Sequence, residues 1–387
     1  MLDHLLALVF TVSIFTYILW GLLGILPERR VPLGHTPPLS VIIPAHDEEP
    51  VIRATVESVL KAEYGGSIEV LVVNDGSSDR TGDIVSEISR EESRVRRIDT
   101  DHLGKALAVN RGVAESSGGI LVLLDADSVL AEDGLMKLAA PFADPKVGAV
   151  SGIIRVVVTR NVLAWYQEFE YLLSSMWRYI FDKLNCTYVL PGFAAFRREA
   201  LADAGGFETD TLSEDFDIGL KMHKTGWKLF MSRAVMYTNV PQTIGGLAKQ
   251  RLRWGHGTVQ VIRKHRDMIL NPRFGFIGLY GLPNQIYFLV QSAVILPLTF
   301  YQIFDGYYKW FVTYGDYMSF SVAKYFIAYF SMFGTFEYIY KVFTGVWEMN
   351  WIFPLFLYSF LFNQAYSLLS IHKMAKLNIR VVFAIMF

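Results

Sequence analysis

The chain has 387 residues, is 52% hydrophobic and 14% aromatic, and carries a formal net charge of −1 with a mean hydropathy of +0.31. That balance excludes an ordinary soluble protein, leaves room for one sizeable soluble domain plus several apolar spans, and argues neither for nor against nucleic acid. A single cysteine, Cys186, excludes an intrachain disulfide and fits a reducing compartment; there is no C-x-x-C or H-E-x-x-H metal spacing and no Ser or Cys hydrolase motif.

Between His4 and Glu28 no residue is charged, and residues 5–26 are long enough to span a bilayer core. The start Met1-Leu2-Asp3-His4 lacks the basic region of a cleaved signal peptide, and Glu28-Arg29-Arg30 follows directly. The positive-inside rule then predicts residue 30 onward to be cytoplasmic.

From Pro37 to about Asn239 the texture is that of an α/β domain. Ser40–Pro44 reads as a short apolar strand. Residues 49–62 have helical spacing, with Ile52, Val56, Val59 and Leu60 inward. Ile68–Val73 reads as a second strand, ending at Asn74-Asp75-Gly76-Ser77-Ser78-Asp79. Strand, helix, strand implies right-handed crossovers and a parallel sheet. A further helix opens at Gly104-Lys105, and Ile120–Leu124 is a buried strand that runs into Asp125-Ala126-Asp127. Ligands in open parallel sheets bind beyond the carboxyl ends of the strands. An isolated D-x-D is usually a strand end with two solvated acids. Here three strand ends (44–48, 74–79 and 125–127) carry acids or turn residues on one edge, and two like charges there suit Mg²⁺ or Mn²⁺ with a phosphorylated ligand.

In residues 161–183 the aromatics Trp165, Tyr166, Phe169, Tyr171, Trp177, Tyr179 and Phe181 recur at near-helical spacing. Core packing and a helix at a membrane surface or acceptor groove both account for them. Pro191-Gly192-Phe193-Ala194-Ala195-Phe196-Arg197-Arg198 reads as a turn whose glycine lets the backbone approach a ligand. Ser213-Glu214-Asp215 reads either as a capped helix start with acids in its first turn or as the seat of a general base. Residues 244–269 form a basic amphipathic stretch that fits the anionic membrane face. Beyond Phe274 come three apolar blocks, about 276–304, 318–340 and 351–371, whose strict alternation would leave Lys373, Lys376 and Arg380 on the wrong side.

Taken together, Pro44-Ala45-His46-Asp47-Glu48-Glu49, Asn74–Asp79, His102-Leu103-Gly104-Lys105, Asp125-Ala126-Asp127, Gly192-Phe193, Ser213-Glu214-Asp215 and Gln250-Arg251-Leu252-Arg253-Trp254 resemble the membrane-embedded family 2 glycosyltransferases, which include poly-N-acetylglucosamine, chitin, hyaluronan and cellulose synthases. The resemblance covers roughly residues 38–260. It implies an α/β, Rossmann-like GT-A domain with a mostly parallel sheet, facing the cytoplasm and flanked by transmembrane and interfacial helices. The expected division is a leading span (1–27), the catalytic domain (28–240), interface helices (241–275) and a membrane region (276–387).

What the resemblance implies for individual residues is as follows. Pro44, His46, Glu48, Asp75, Lys105, Asp125 and Arg253 would hold a nucleoside diphosphate sugar, with Asp75 accepting a hydrogen bond from uracil. Asp127, with Asp125, would bind Mg²⁺ or Mn²⁺. Asp215 would be the base, and Gly192, Phe193, Glu214, Gln250 and Trp254 would meet the acceptor. His46 and Asp47 stand where the family often has an aromatic residue and an amide. The expected function is inverting transfer from a UDP-sugar, with UDP-N-acetylglucosamine as donor, to a growing β-linked polysaccharide. The rival activities are single-addition glycolipid synthesis, as in ceramide glucosyltransferases or polyprenyl-phosphate sugar transferases, and non-catalytic binding of nucleotide or sugar. Expected partners are the donor, a carbohydrate or lipid-linked acceptor, the lipid bilayer and a homo-oligomer or accessory membrane subunit, with no nucleic acid. The expected location is the plasma membrane.

Overall fold

The computed structural model describes residues 31–290 except residue 158, together with parts of 11–27 and 301–308. By internal packing the chain divides into Arg29–Leu282 and a second unit made of Met1–Glu28 and Pro283–Phe387. In that second unit residues 18–24 and 283–290 are helical, and the rings of Trp20 and Phe288 stack at 5.4 Å. Among the described residues no helix is long and apolar enough to cross a membrane. The expected leading span and the first apolar block, 276–304, are described only in part, and blocks 318–340 and 351–371 lie wholly outside the described residues.

The unit Arg29–Leu282 is built on one eight-stranded sheet. Its first half comprises β1 (Leu39–Ala45), β2 (Ile68–Asp75), β3 (Val95–Thr100) and β4 (Ile120–Leu124), connected through helices α1 (Ile52–Lys61), α2 (Thr81–Glu91) and α3 (Lys105–Glu115). β1, β2 and β4 are built on Val/Ile/Leu runs because both of their faces are covered. Alternation decides which face each side chain serves. Val41, Ile43, Val70 and Val72 pack with Ile52, Val56 and Val59 of α1 and Val85 of α2. Ile42, Leu71 and Val73 pack on the other face with Ala108 and Val109 of α3. Each such burial stabilises the domain by about 1.5–3 kcal/mol relative to exposure.

The second half comprises β5 (Ser128–Leu130), α4 (Gly134–Ala139), β6 (Val147–Val156), α5 (Val162–Lys183), β7 (Phe193–Arg197), α6 (Arg198–Asp203), α7 (Glu214–Lys224), β8 (Lys228–Thr238) and α8 (Ile244–Lys264). Strand order is β3-β2-β1-β4-β7-β6-β8-β5. β1 runs parallel to β2 and β4, β2 to β3, and β6 to β8. β7 is antiparallel to both β4 and β6, and β5 is antiparallel to β8. The sheet is therefore mostly parallel, with β7 as the antiparallel seam between two parallel parts. Strand order reverses between β1 and β4, so the carboxyl ends of those two strands open a crevice, the usual place for a ligand in such a sheet.

One expectation changes here, and one open alternative closes. The stretch after Gly192 is not a turn: Phe193–Arg197 is strand β7, central in the sheet. The aromatic run on α5 is mainly core, since Tyr166, Phe169, Tyr179 and Phe181 are buried, whereas Trp165 is exposed. The basic stretch is a helix, as its pattern predicts, and α8 buries only Leu247, Gly257, Val261 and Ile262.

Candidate active site

Two loops interlock at the carboxyl ends of β1 and β2. The Glu48 amide donates to Thr81 Oγ1 at 2.8 Å, the Glu49 amide to Asp79 Oδ2 at 3.0 Å, and the Ser78 amide to Asp47 Oδ1 at 2.7 Å. These bonds fix His46 and Glu48 beside the end of β4. There the Thr55 hydroxyl of α1 donates to the Ala126 carbonyl at 2.7 Å, which anchors the middle of Asp125-Ala126-Asp127. Pro44, near the end of β1, is paired with Val73.

Asp127 is turned inward, where Thr238 Oγ1 at the end of β8 donates to it at 3.3 Å. Burial, then the neighbouring Asp125 charge, pushes its carboxyl above the ordinary range. Glu48 shows the same crowding: burial, then Asp127 and Asp125, pushes it up to about 7. Glu48 and Asp127 both resist ionising beside the Asp125 charge, a crowding that a divalent cation would relieve, and the all-oxygen chemistry suits Mg²⁺ or Mn²⁺. In donor chemistry these residues therefore fit the expected metal.

Gly192 sits directly on Asp125. A Cβ added there would lie 1.9 Å from Asp125 Oδ2, and the Asp125 amide donates to the Gly192 carbonyl at 3.1 Å. The glycine is needed to seat this carboxylate. Phe193, its neighbour, is fully buried among core side chains and is not available to an acceptor, which corrects the expectation for it.

Lys105, at the start of α3, joins this corner to α7. Its ammonium is 2.7 Å from Asp125 Oδ1 and 3.5 Å from Glu214 Oε1. Burial alone would lower the ammonium, but Asp125, Glu214 and Asp215 together hold it above its usual range. Asp215 lies in the first turn of α7, and its carbonyl accepts from the Leu190 amide at 3.3 Å, tying that turn to the segment before Gly192. Burial, then Glu214, pushes the Asp215 carboxyl up to about 6, with Lys105 pulling the other way. Asp125, Lys105, Glu214 and Asp215 thus form one charge cluster. Ser213 precedes α7 at the cap position, but its side chain makes no cap bond; its hydroxyl is packed instead against Gly257 of α8.

Asp75 departs from its expected posture. The carboxylate is buried and accepts from Thr100 Oγ1 at 2.7 Å and from the amides of Leu103 and Gly104 at 2.6 and 2.8 Å. Burial would raise it, but these three donors outweigh that and hold it below the ordinary carboxylate range. Its main work is to fasten the loop that delivers Lys105, which leaves little of it for a base.

The Gln-x-x-Arg-Trp segment lies on α8. Arg251, not Arg253, turns inward, pairing with Glu170 of α5 and stacking its guanidinium 4.2 Å from the Trp254 ring centre. Trp254 is partly exposed and lies 6.2 Å from Tyr171, and Gln250 Oε1 accepts from Arg251 at 2.9 Å. Arg253 is exposed and makes no hydrogen bond or ion pair among the described residues. Tyr171 is a residue the motifs do not reveal. Its hydroxyl, pushed up to about 12 by burial, feels Arg251, Glu170, Asp127 and Asp125, so it stands between the α8 segment and the paired aspartates. The only signal for it was its place in the aromatic run.

One other acidic group lies apart. Glu208, Asp210 and Asp217 place carboxylate oxygens within 4.8 Å of one another. All three accept from Lys264, at 2.8 Å for Asp210 and 3.0 Å for Asp217, and Asp217 also pairs with buried His265 at 2.7 Å. The ammonium already occupies the centre of this cluster, which clamps α7 to α8.

Comparison with known proteins adds to this geometry. The Glycosyl transferase family 2 model matches residues 40–205. A probable glycosyltransferase, YdaM, of Bacillus subtilis strain 168 is 30% identical over 301 residues, covering 72% of this chain and 70% of that protein. The poly-beta-1,6-N-acetyl-D-glucosamine synthase of Staphylococcus epidermidis is 32% identical over 235 residues, which is 58% of this chain and 55% of the synthase. The match to that synthase therefore spans about half of its length. Among solved structures, the mannosyltransferase PcManGT from Pyrobaculum calidifontis, in complex with GDP-Man and Mn²⁺, superposes with a TM-score of 0.69 at 22% identity, covering 96% of this chain and 98% of that one. That likeness shows a shared GT-A-like fold.

Proposed function

The chain belongs to glycosyl transferase family 2, and from that membership we propose that it moves a sugar from a UDP-sugar to a growing β-linked polysaccharide, with inversion at the anomeric carbon. UDP-N-acetylglucosamine is the proposed donor, on the strength of the similarity to poly-beta-1,6-N-acetyl-D-glucosamine synthases. The observation that carries the proposal is the Lys105 bridge, which joins Asp125, just beyond β4, to Glu214 in the acidic start of α7.

In this reading the nucleotide lies across the ends of β1 and β4. The Asp125 and Asp127 carboxylates, with Glu48 beside them, would hold Mg²⁺ or Mn²⁺. When bound, that ion supplies Lewis-acid stabilisation of the departing diphosphate. Asp215 takes the proton from the acceptor hydroxyl as its oxygen bonds to C1 and the bond from C1 to the diphosphate oxygen breaks. The proton ends on Asp215, the electron pair leaves with UDP, and the product is a β-glycoside. Carboxyl ionisation near about 6 is well matched to a base that works at neutral pH. Lys105 holds Asp125 and Glu214 in place and offsets negative charge until donor arrives. Trp254, Tyr171 and Gln250 face the acceptor side, and the apolar segments outside the described residues anchor the enzyme in the plasma membrane with this domain in the cytoplasm.

The test is incubation of the purified full chain in lipid with Mn²⁺ and each UDP-sugar in turn, measuring UDP release and product mass. A ladder of oligosaccharides from UDP-N-acetylglucosamine is the expected result. One labelled lipid would replace the polymer reading with single addition, and no UDP release from any donor would overturn catalysis altogether.

A further inference from the structure

His46 and His102 come from loops that follow different strands, and their Nδ1 atoms meet 3.2 Å apart. Both also face the Asp75 carbonyl oxygen, at 2.7 Å from His46 and 3.3 Å from His102. These three atoms do not satisfy one another well. A carbonyl has no proton to give, so every hydrogen must come from an imidazole. With both Nδ1 atoms protonated, two N–H groups crowd each other across 3.2 Å. With one protonated, the other ring turns a lone pair towards the carbonyl oxygen.

A single cation would satisfy all three. Bonds of about 2.1 Å to nitrogen or oxygen give ligand separations of about 3.0 Å on an octahedral face and about 3.4 Å on a tetrahedral one. The three separations here fall around that range. The outer arrangement agrees as well. A metal-bound imidazole usually gives its other N–H to a carboxylate, and His46 Nε2 is 3.5 Å from Asp47 Oδ2. That carboxylate is itself fixed by the Ser78 amide at 2.7 Å. The backbone is bent to bring the rings together: Asp47 and His102 both have left-handed φ, 54° and 49°, a conformation that non-glycine residues adopt at a cost. Gly76 completes the approach, since a Cβ there would lie 2.8 Å from the His102 amide nitrogen. Both imidazoles are largely exposed, so water can fill the remaining positions.

We propose that His46 and His102, with the Asp75 carbonyl oxygen, bind a late first-row divalent ion of the zinc or cobalt class, distinct from the ion held by Asp125 and Asp127. Imidazole suits that class and discriminates against Mg²⁺. This consequence rests on the proposed function: with His46 among the residues that hold the nucleotide, its base lying against that ring, an ion at this place competes with donor and makes the enzyme sensitive to zinc.

The experiment uses the full chain in lipid, stripped with chelator, in the Asp127→Asn background so that the carboxylate site is disabled. Zn²⁺ binding is measured by calorimetry and Co²⁺ binding by its visible absorption. One ion should bind at about 10 µM or tighter, and adding His102→Ala should weaken it by at least about tenfold. His102 is exposed, so the metal-free unfolding midpoint should not move, which separates lost ligation from misfolding. Equal Zn²⁺ affinity with and without His102→Ala, or no binding in this range, overturns the site. UDP titration of the wild-type chain with and without Zn²⁺ then tests the competition. Weakened UDP binding is the expected result. Zn²⁺ bound with UDP affinity unchanged overturns the competition and the placement of the base, while the metal site itself stands.

Discussion

Replacing Asp215 with Asn should make the protein more stable and nearly inactive, and the stability gain should depend on pH in a calculable way. A carboxyl that ordinarily ionises at 3.8 ionises here only at about 6, because burial and Glu214 oppose its charge. The folded protein therefore holds this proton over a range where the unfolded chain has released it. Wild-type stability falls as pH rises through that window, and the full penalty is present above it. At about 1.4 kcal/mol per tenfold difference in ionisation, the cost is about 1 kcal/mol at about pH 4.5 and about 3 kcal/mol at about pH 7.5. Asn carries no such cost, and its side-chain oxygen can still accept from the Phe216 amide, as Asp215 does at 2.8 Å. The assay is the unfolding midpoint of wild type and Asp215→Asn, in EDTA, at the two pH values. The variant should gain at least about 5 °C at the higher pH and much less at the lower one. Transfer should fall by about 10²–10⁴-fold with donor affinity retained. A variant no more stable at about pH 7.5, or one that still transfers sugar, would show that Asp215 is neither strained by its surroundings nor the base.

Three further outcomes follow from the same geometry. Gly192→Ala should drive a methyl into the Asp125 carboxylate and weaken Mn²⁺-dependent UDP binding by at least about tenfold in calorimetry, about 1.4 kcal/mol. The pH profile of transfer should fall about tenfold per unit below about pH 6, where Asp215 becomes protonated; a flat profile down to about pH 5 would point to another base. Lys264→Ala removes the cation shared by Glu208, Asp210 and buried Asp217 and should cost about 2–4 kcal/mol in denaturant unfolding. The three oxygens are close enough for one ion, so millimolar Ca²⁺ should recover part of that loss in the variant and none in the wild type.

Much of the first half-sheet was legible in the sequence because burial on two faces leaves unbroken Val/Ile/Leu runs, as in Ile68–Val73 and Ile120–Leu124. The second half was not. β7 is Phe-Ala-Ala-Phe-Arg, whose alanines carry little strand preference, and the preceding Pro-Gly imitates a turn. Its strand character comes from hydrogen bonds on both sides, to β4 and β6, a non-local cause that no window of sequence contains. β3 was hidden for the opposite reason: Val-Arg-Arg-Ile-Asp-Thr is an edge strand whose exposed charges mask its two buried anchors, Val95 and Ile98.

The site divides in the same way. Motif letters located the paired aspartates and the acidic start of α7, because charge placed at a strand end or a helix start is a local property. They could not say which member of a motif faces the pocket. In the Gln-Arg-Leu-Arg-Trp segment the choice between Arg251 and Arg253 depends on Glu170, which lies on α5 and waits for only one of them. A buried carboxylate is worth most to the arginine that can reach it, so Arg251 turns inward and Arg253 is left to solvent. Asp75 makes the complementary point. Its carboxylate could serve a base only if the loop at 100–104 found other support; three donors from that loop have claimed it instead. What the loop gains is a fixed start for α3, and with it the position of Lys105 between Asp125 and Glu214. An aspartate spent on its own loop can therefore decide whether the charge cluster forms. Asp75→Asn offers an amide group where the loop amides need an acceptor, so it should loosen Lys105 before it affects anything else.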